Sequence, residues 1–349
     1  MQPIRWLRAA AAVTLAAILA ISTAATAVAT FPGTNGRITF MRPDADGFWQ
    51  VWVANPDLTA AVNIAVFPGR DSGWSVWSPD GSRIAFDSNR EDPDPSDGIV
   101  VNDIFTVNPD GTGLLKLTNS IGLNGDPAYS PDGTLIAFEA DFGNPSQQGI
   151  YVMNAADGSD LRRITTAPSP TDFDAAARFS PDGTQLVFTR ERGGNETRTG
   201  RVVGGTSALH VVNVDGSGLQ RITGWGARAG DADWSPDGTK LVFETGGDYR
   251  GPTDAMIINA DGTGLHRLTN GTGLIGSFNN LDSLRFEGFY DPVWSPDGTL
   301  ILLGHGHLND DLSFTEGLAT IRPDGTGLQY VAPQVLIEHQ PDWGTALLQ

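Results

Sequence analysis

Three aspartates hold equivalent places in a repeated pattern. Asp126, Asp231 and Asp291 each stand three residues before an aromatic that opens the pentapeptide aromatic-Ser-Pro-Asp-Gly. Carboxylates gathered at one mouth suit Ca2+ or another divalent cation, or a cationic organic group. The position-matched residues Trp74, Ala176 and Gln340 carry no charge, so the carboxylates do not complete a ring. Asp at a loop-to-strand junction also satisfies nearby backbone N–H groups, which is a purely structural alternative. A second group is His305 and His307 in His-x-His spacing, with Glu338 and His339 beginning a neighbouring segment. Two imidazoles on one face of a strand end, with a third nearby, suit Zn2+ or Mn2+.

Two further features are contact surfaces, not chemistry. The insert from Asn270 to Asp291 carries Phe278, Phe286, Phe289 and Tyr290. These rings either face a partner or sugar, or fold back to cap the core beneath them. Arg190, Arg192, Arg198 and Arg201 form a basic stretch interleaved with Glu191 and Glu196, which reads as a salt-bridged loop. Motifs with dedicated chemistry are missing. Asn213-Val214-Asp215-Gly216-Ser217-Gly218 lacks the first Asp and the last Glu of an EF-hand loop. No Gly-x-Ser-x-Gly, P-loop or His-Glu-x-x-His occurs.

The elements that would position these residues are set by the repeat. The pentapeptide recurs at Trp77, Tyr129, Phe179, Trp234 and Trp294, with a worn sixth copy at Gln340–Gly344. A unit of about 50 residues cannot bury its own core and is stable only against neighbours. Within the unit beginning at Asp126, a short first strand ends in Ser130-Pro131-Asp132-Gly133. There Pro presets φ, and Gly takes the left-handed conformation that closes a type I turn with a bulge. Leu135–Phe138, Ile150–Met153 and Leu161–Thr165 follow as second, third and fourth strands. Four-stranded units repeated about an axis form a β-propeller, which protects its strand edges. The N-terminal unit lacks an aromatic first strand, and Gln340–Trp343 is a first strand with nothing to follow it. One blade is therefore assembled from both ends of the chain, and the count is six.

Composition bounds the setting. Residues 1–29 carry Arg5 and Arg8, an apolar run from Ala9 to Ile21, and Ala27-Val28-Ala29, the pattern of a signal peptide. The run is short for a membrane span, so no stable span is expected after cleavage. Removing the leader would leave 20 basic against 41 acidic residues, a net charge of −21. Such a charge repels phosphate backbones and argues against nucleic acid. The chain has no Cys, so it uses neither disulfides nor thiolate metal sites.

The pentapeptide, the Ile-Ala-Phe-like second strand, the Asn-x-Asp-Gly-x-Gly turn and the following Leu-Thr resemble the TolB-type, WD40-like β-propellers across Phe31 to Gly344. The resemblance implies an all-β, six-bladed propeller of four-stranded antiparallel blades over residues 30–349. It supports fold more than activity. The expected reading is a monomeric, secreted or periplasmic, non-catalytic binding platform with no required cofactor. Its variable loop face would hold a protein or cell-envelope glycan over the central channel. The alternative is a metal-dependent, polysaccharide lyase-like enzyme using His305, His307 and His339.

Overall fold

The computed structural model describes residues 33–94, 101–119, 121–193, 195–196, 202–203, 205–246, 253–273, 275–277, 280–309, 314–331 and 339–346. The leader, Phe278, Arg198 and Arg201 lie outside them. Six antiparallel four-stranded sheets form the chain's blades. From the innermost strand outward, blade 1 runs His339–Thr345, Asn35–Pro43, Trp49–Ala54 and Val62–Asn63. Blades 2 to 6 follow in chain order, with innermost strands Ser72–Trp77, Asn124–Tyr129, Phe173–Phe179, Ala229–Trp234 and Glu287–Trp294. Two short ribbons and two single-turn 3-10 helices are added on the loops.

The turns form as the residue types require. In the first, Ser78 N–H donates to Arg83 O, Gly81 N–H donates to Ser78 O, and Gly81 sits at φ +68°. Asp80 accepts from the Ser78 hydroxyl and from the N–H and hydroxyl of Ser82. Equivalent bonds recur at Asp132, Asp182, Asp237 and Asp297. Much of the negative charge is thus turn architecture.

The core lies between sheets. Each of six apolar clusters joins one blade to the next, and the last joins blade 6 back to blade 1 through Val293, Leu302 and Leu318 against Ile38, Phe40 and Trp343. The C-terminal strand pairs with Asn35–Pro43, and its Asp342 Oδ2 accepts from Trp77 N–H at 2.8 Å. Gly344 lies against the Trp77 indole, where a Cβ would come within 2.7 Å of ring atoms. The worn sixth copy is therefore both a strand of blade 1 and a seat for blade 2.

Trp343 is 4 % exposed, and its Nε1 donates to Gly36 O. Truncating it opens a cavity at the closure, so Trp343→Ala should cost about 3–5 kcal/mol in denaturant unfolding. The exposed Leu115, replaced by Ala, should change stability by no more than about 0.5 kcal/mol. Equal effects would place the closure elsewhere.

Candidate functional site

Every innermost strand carries one extra residue relative to its neighbour. Gly73 pairs with Asp87 and Val76 with Ala85, so three steps on one strand match two on the other, and the same shift occurs in all six blades. The bulged residue takes the left-handed conformation in every blade: Trp74, Asp126, Ala176, Asp231, Asp291 and Gln340 have φ between +44° and +50°. These are the six position-matched residues of the sequence repeat. Because the ring is closed, blade 2 faces blade 5 and blade 3 faces blade 6. Trp74 therefore stands across the channel from Asp231, and Asp126 across from Asp291.

The second strands add acids that the sequence reading missed. Asp87, Glu139 and Glu244 pair with Gly73, Gly125 and Gly230 of the innermost strands. A Cβ at Gly73 would meet the Met41 side chain and one at Gly230 would meet Thr189, but Gly125 leaves its space to acids. At Gly125, a Cβ would lie 3.3 Å from Glu139 Oε1 and 3.5 Å from Asp87 Oδ2. Blade 6 reverses the arrangement: Tyr290 pairs with Gly304, and a Cβ at Gly304 would collide with the Tyr290 ring. The signal was present in the sequence, since each of the three acids directly follows the second-strand Phe at 86, 138 and 243.

Six carboxylates thus form an acidic collar. Oxygens of Asp231, Glu244 and Asp291 lie within 4.8 Å of one another. Glu244 Oε2 accepts from Asp291 N–H at 3.1 Å, and Asp291 Oδ2 accepts from Gln340 N–H at 3.3 Å. On the other side, Asp126 and Glu139 are each 8 % exposed, and their Oδ1 and Oε2 atoms are buried without a hydrogen-bond partner. Burial pushes Asp87 up to about 7, although Asn102 donates to it at 2.9 Å. Burial also raises Asp126, with repulsion from Asp231, Asp87 and Asp291 adding to it. Glu139 rises by burial and by the charges of Asp126 and Asp87. The guanidinium of Arg178, one residue before the aromatic of blade 4, pulls Asp126 back down.

The remaining sequence candidates lie apart from the collar. Phe289 is buried between blades 5 and 6, and Phe286 packs against Phe314, so both brace the fold and do not present a surface. Tyr290 donates its hydroxyl to Glu316. His305 is buried, meets Glu287 Oε1 at 3.3 Å, stacks on His307 and packs at a tilt against Phe289 and Tyr330. Burial pushes its imidazole down despite Glu287. Among the described residues, the group of His and acidic side chains that converges as metal ligands is Asp231–Glu244–Asp291; His305 and His307 belong to no such group. His339 begins the closing strand, paired with Met41. Arg190 is buried on Asp174 in a two-pronged ion pair, and Arg192 stacks on Trp225, so these two arginines are tied down.

Comparison with known proteins places this geometry. Residues 37–198 match the family described as the TolB beta propeller domain. The solved structure of TolB from Acinetobacter baumannii superposes with a TM-score of 0.66 at 18 % identity, covering 91 % of this chain and 69 % of that one. The chain shares the β-propeller fold of TolB. A TolB homolog of Chlorobium luteolum is 30 % identical over 165 residues, 47 % of this chain and 31 % of the relative. An uncharacterized peptidase of Bacillus subtilis, YuxL, is 25 % identical over 212 residues, 54 % of this chain and 30 % of the relative. The chain thus spans about a third of those two relatives. No helix of the described residues is long and apolar enough to cross a membrane.

The raised carboxyls have a signed consequence. A carboxyl with a folded value above its unfolded one binds more protons in the native state, so its stabilising contribution is full below the unfolded value of about 4 and is lost as pH rises through the folded value. For Asp87 that window runs from about pH 4 to about 7. His210 and His305, both pushed down, act in the opposite sense below about pH 6.5, so a difference measurement is needed. The stability of the wild type relative to Asp87→Asn should fall by about 1.4 kcal/mol per pH unit between pH 5 and 7, then level off. A difference independent of pH would show that Asp87 titrates normally.

Proposed function

We propose that this protein is an exported, non-catalytic binding platform whose loop face receives a positively charged group at the channel mouth. The group belongs to a protein or cell-envelope polymer, and a divalent cation such as Ca2+ is an alternative occupant. The observation that carries this reading is the pair of buried, unpartnered oxygens on Asp126 and Glu139, within a collar whose other oxygens converge. A buried carboxylate without a partner costs several kcal/mol unless it is protonated or meets a cation. Burial and mutual repulsion disfavour ionising Asp87, Asp126 and Glu139 together unless a cation lies among them. The TolB-like fold supports a platform, since such a ring holds loops rigidly around an axis.

Asp231, Glu244 and Asp291 are the residues best arranged to ligate a metal ion, and oxygen donors of this kind suit a hard cation. The platform assigns no catalytic role to His305, whose ring is occupied by Glu287 and three aromatic neighbours. Isothermal titration of the full chain with CaCl2 and with tetralysine amide tests the reading. The wild type should bind at least one of them, and the triple variant Asp126→Asn, Asp231→Asn, Asp291→Asn should bind neither detectably. Absence of binding by the wild type, or unchanged binding by a folded triple variant, would remove the collar from the function.

A further inference from the structure

Trp74 is the odd member of the collar. The other five bulged positions hold Asp, Ala or Gln, and this one holds the largest side chain available. It is 37 % exposed, whereas the aromatics that open the pentapeptides are buried between blades. Among the described residues its ring makes no aromatic or cation–π contact, so no internal cation occupies its face. Its backbone is left-handed at φ +44°, a conformation that disfavours a bulky side chain. The bulge itself does not require Trp, since Ala176 occupies the same conformation in blade 4.

Its surroundings say what it could meet. Blade 2 lies opposite blade 5, so Trp74 stands across the channel from Asp231 and Glu244, with Asp291 beside them on blade 6. On the adjacent blade 3, Asp126 and Glu139 hold buried oxygens without partners. An aromatic face and carboxylates around one opening complement an organic cation. The ring attracts the charge through its quadrupole, and Trp does so best among the aromatics. A metal ion gains little from an indole, because its ligands are oxygens. Below the collar, Arg178 forms no ion pair among the described residues, and its charge acts on both Asp126 and Asp342. A second positive charge entering deeper would meet that guanidinium.

We propose that Trp74 and the collar carboxylates form a receptor for one basic side chain, a lysine or arginine of a polypeptide, entering the channel mouth. This inference rests on the platform reading and names its ligand. The cation lies between the indole of Trp74 and the carboxylates of Asp231 and Asp291, and its aliphatic stem crosses the mouth.

The test titrates the full chain with an acetylated, amidated pentapeptide containing a single arginine, and separately with CaCl2. Trp74→Ala should weaken the peptide about 3- to 30-fold, the range a cation–π contact supplies. It should leave any Ca2+ affinity within about twofold. Trp74→Phe should recover part of the loss, because an aromatic face is restored. Asp231→Asn should weaken the peptide as well. Peptide binding unchanged in a folded Trp74→Ala variant overturns the role of the indole. Binding of Ca2+ without the peptide also overturns it, while leaving the collar as a cation site. If the wild type binds neither, the platform reading falls together with this one.

Discussion

Each blade is a sheet with two apolar faces and no core of its own, and only a neighbour on each side can cover them. That constraint governs the whole molecule. It demands a closed ring, because any open end would leave a sheet face in water. The chain meets the demand by lending its last strand to its first blade. Val293, Leu302 and Leu318 reach Ile38 and Phe40 there, with Trp343 filling the seam. Asp342 and Gly344 then fit the closing strand to the Trp77 segment of blade 2. Closure also defines a channel with opposite walls, without which the bulged residues would be only six unrelated surface positions.

The site follows from one repeated departure from regular pairing. An extra residue on each innermost strand turns the backbone left-handed and displaces that side chain from the sheet's normal alternation. In three blades an acid of the second strand pairs with a glycine beside the bulge, and at Gly125 that glycine leaves room for Glu139. The charges gathered this way oppose one another and are poorly hydrated. A fold tolerates such an arrangement when its stability comes from elsewhere, in this ring from the six interblade clusters, and unfavourable electrostatics of this kind concentrate at functional sites.

Much of this was legible in the residues. The Ser-Pro-Asp-Gly turns, the four strands of each unit and the clasp at Gln340–Trp343 all rest on local rules of turn chemistry and periodicity, which tertiary structure did not override. The equivalence of Trp74, Asp126, Ala176, Asp231, Asp291 and Gln340 could also be read, because position in a repeat maps directly onto position in a ring. Less visible were effects that depend on pairing register. Asp87, Glu139 and Glu244 look like ordinary ends of second strands until their glycine partners are known. Phe286 and Phe289 are apolar residues in an insert, and nothing local distinguishes a ring facing inward from one facing solvent. The His305–His307 spacing suits a metal pair, but the packing against Tyr330 and the bond to Glu287 come from other strands.

Burial and mutual repulsion raise Asp87, Asp126 and Glu139 and so favour their protonated forms until a positive charge arrives. Proton release on binding measures this directly. Calorimetric titration of the cation near pH 6.5, repeated in two buffers of different ionisation enthalpy, counts the protons expelled per cation bound. A net release is expected at that pH, shrinking toward zero as the pH is raised above the collar's own titration. Binding that exchanges no protons at pH 6.5 would mean that the carboxylates are already ionised in the free protein, and that burial and repulsion are not what prepares the collar for a cation.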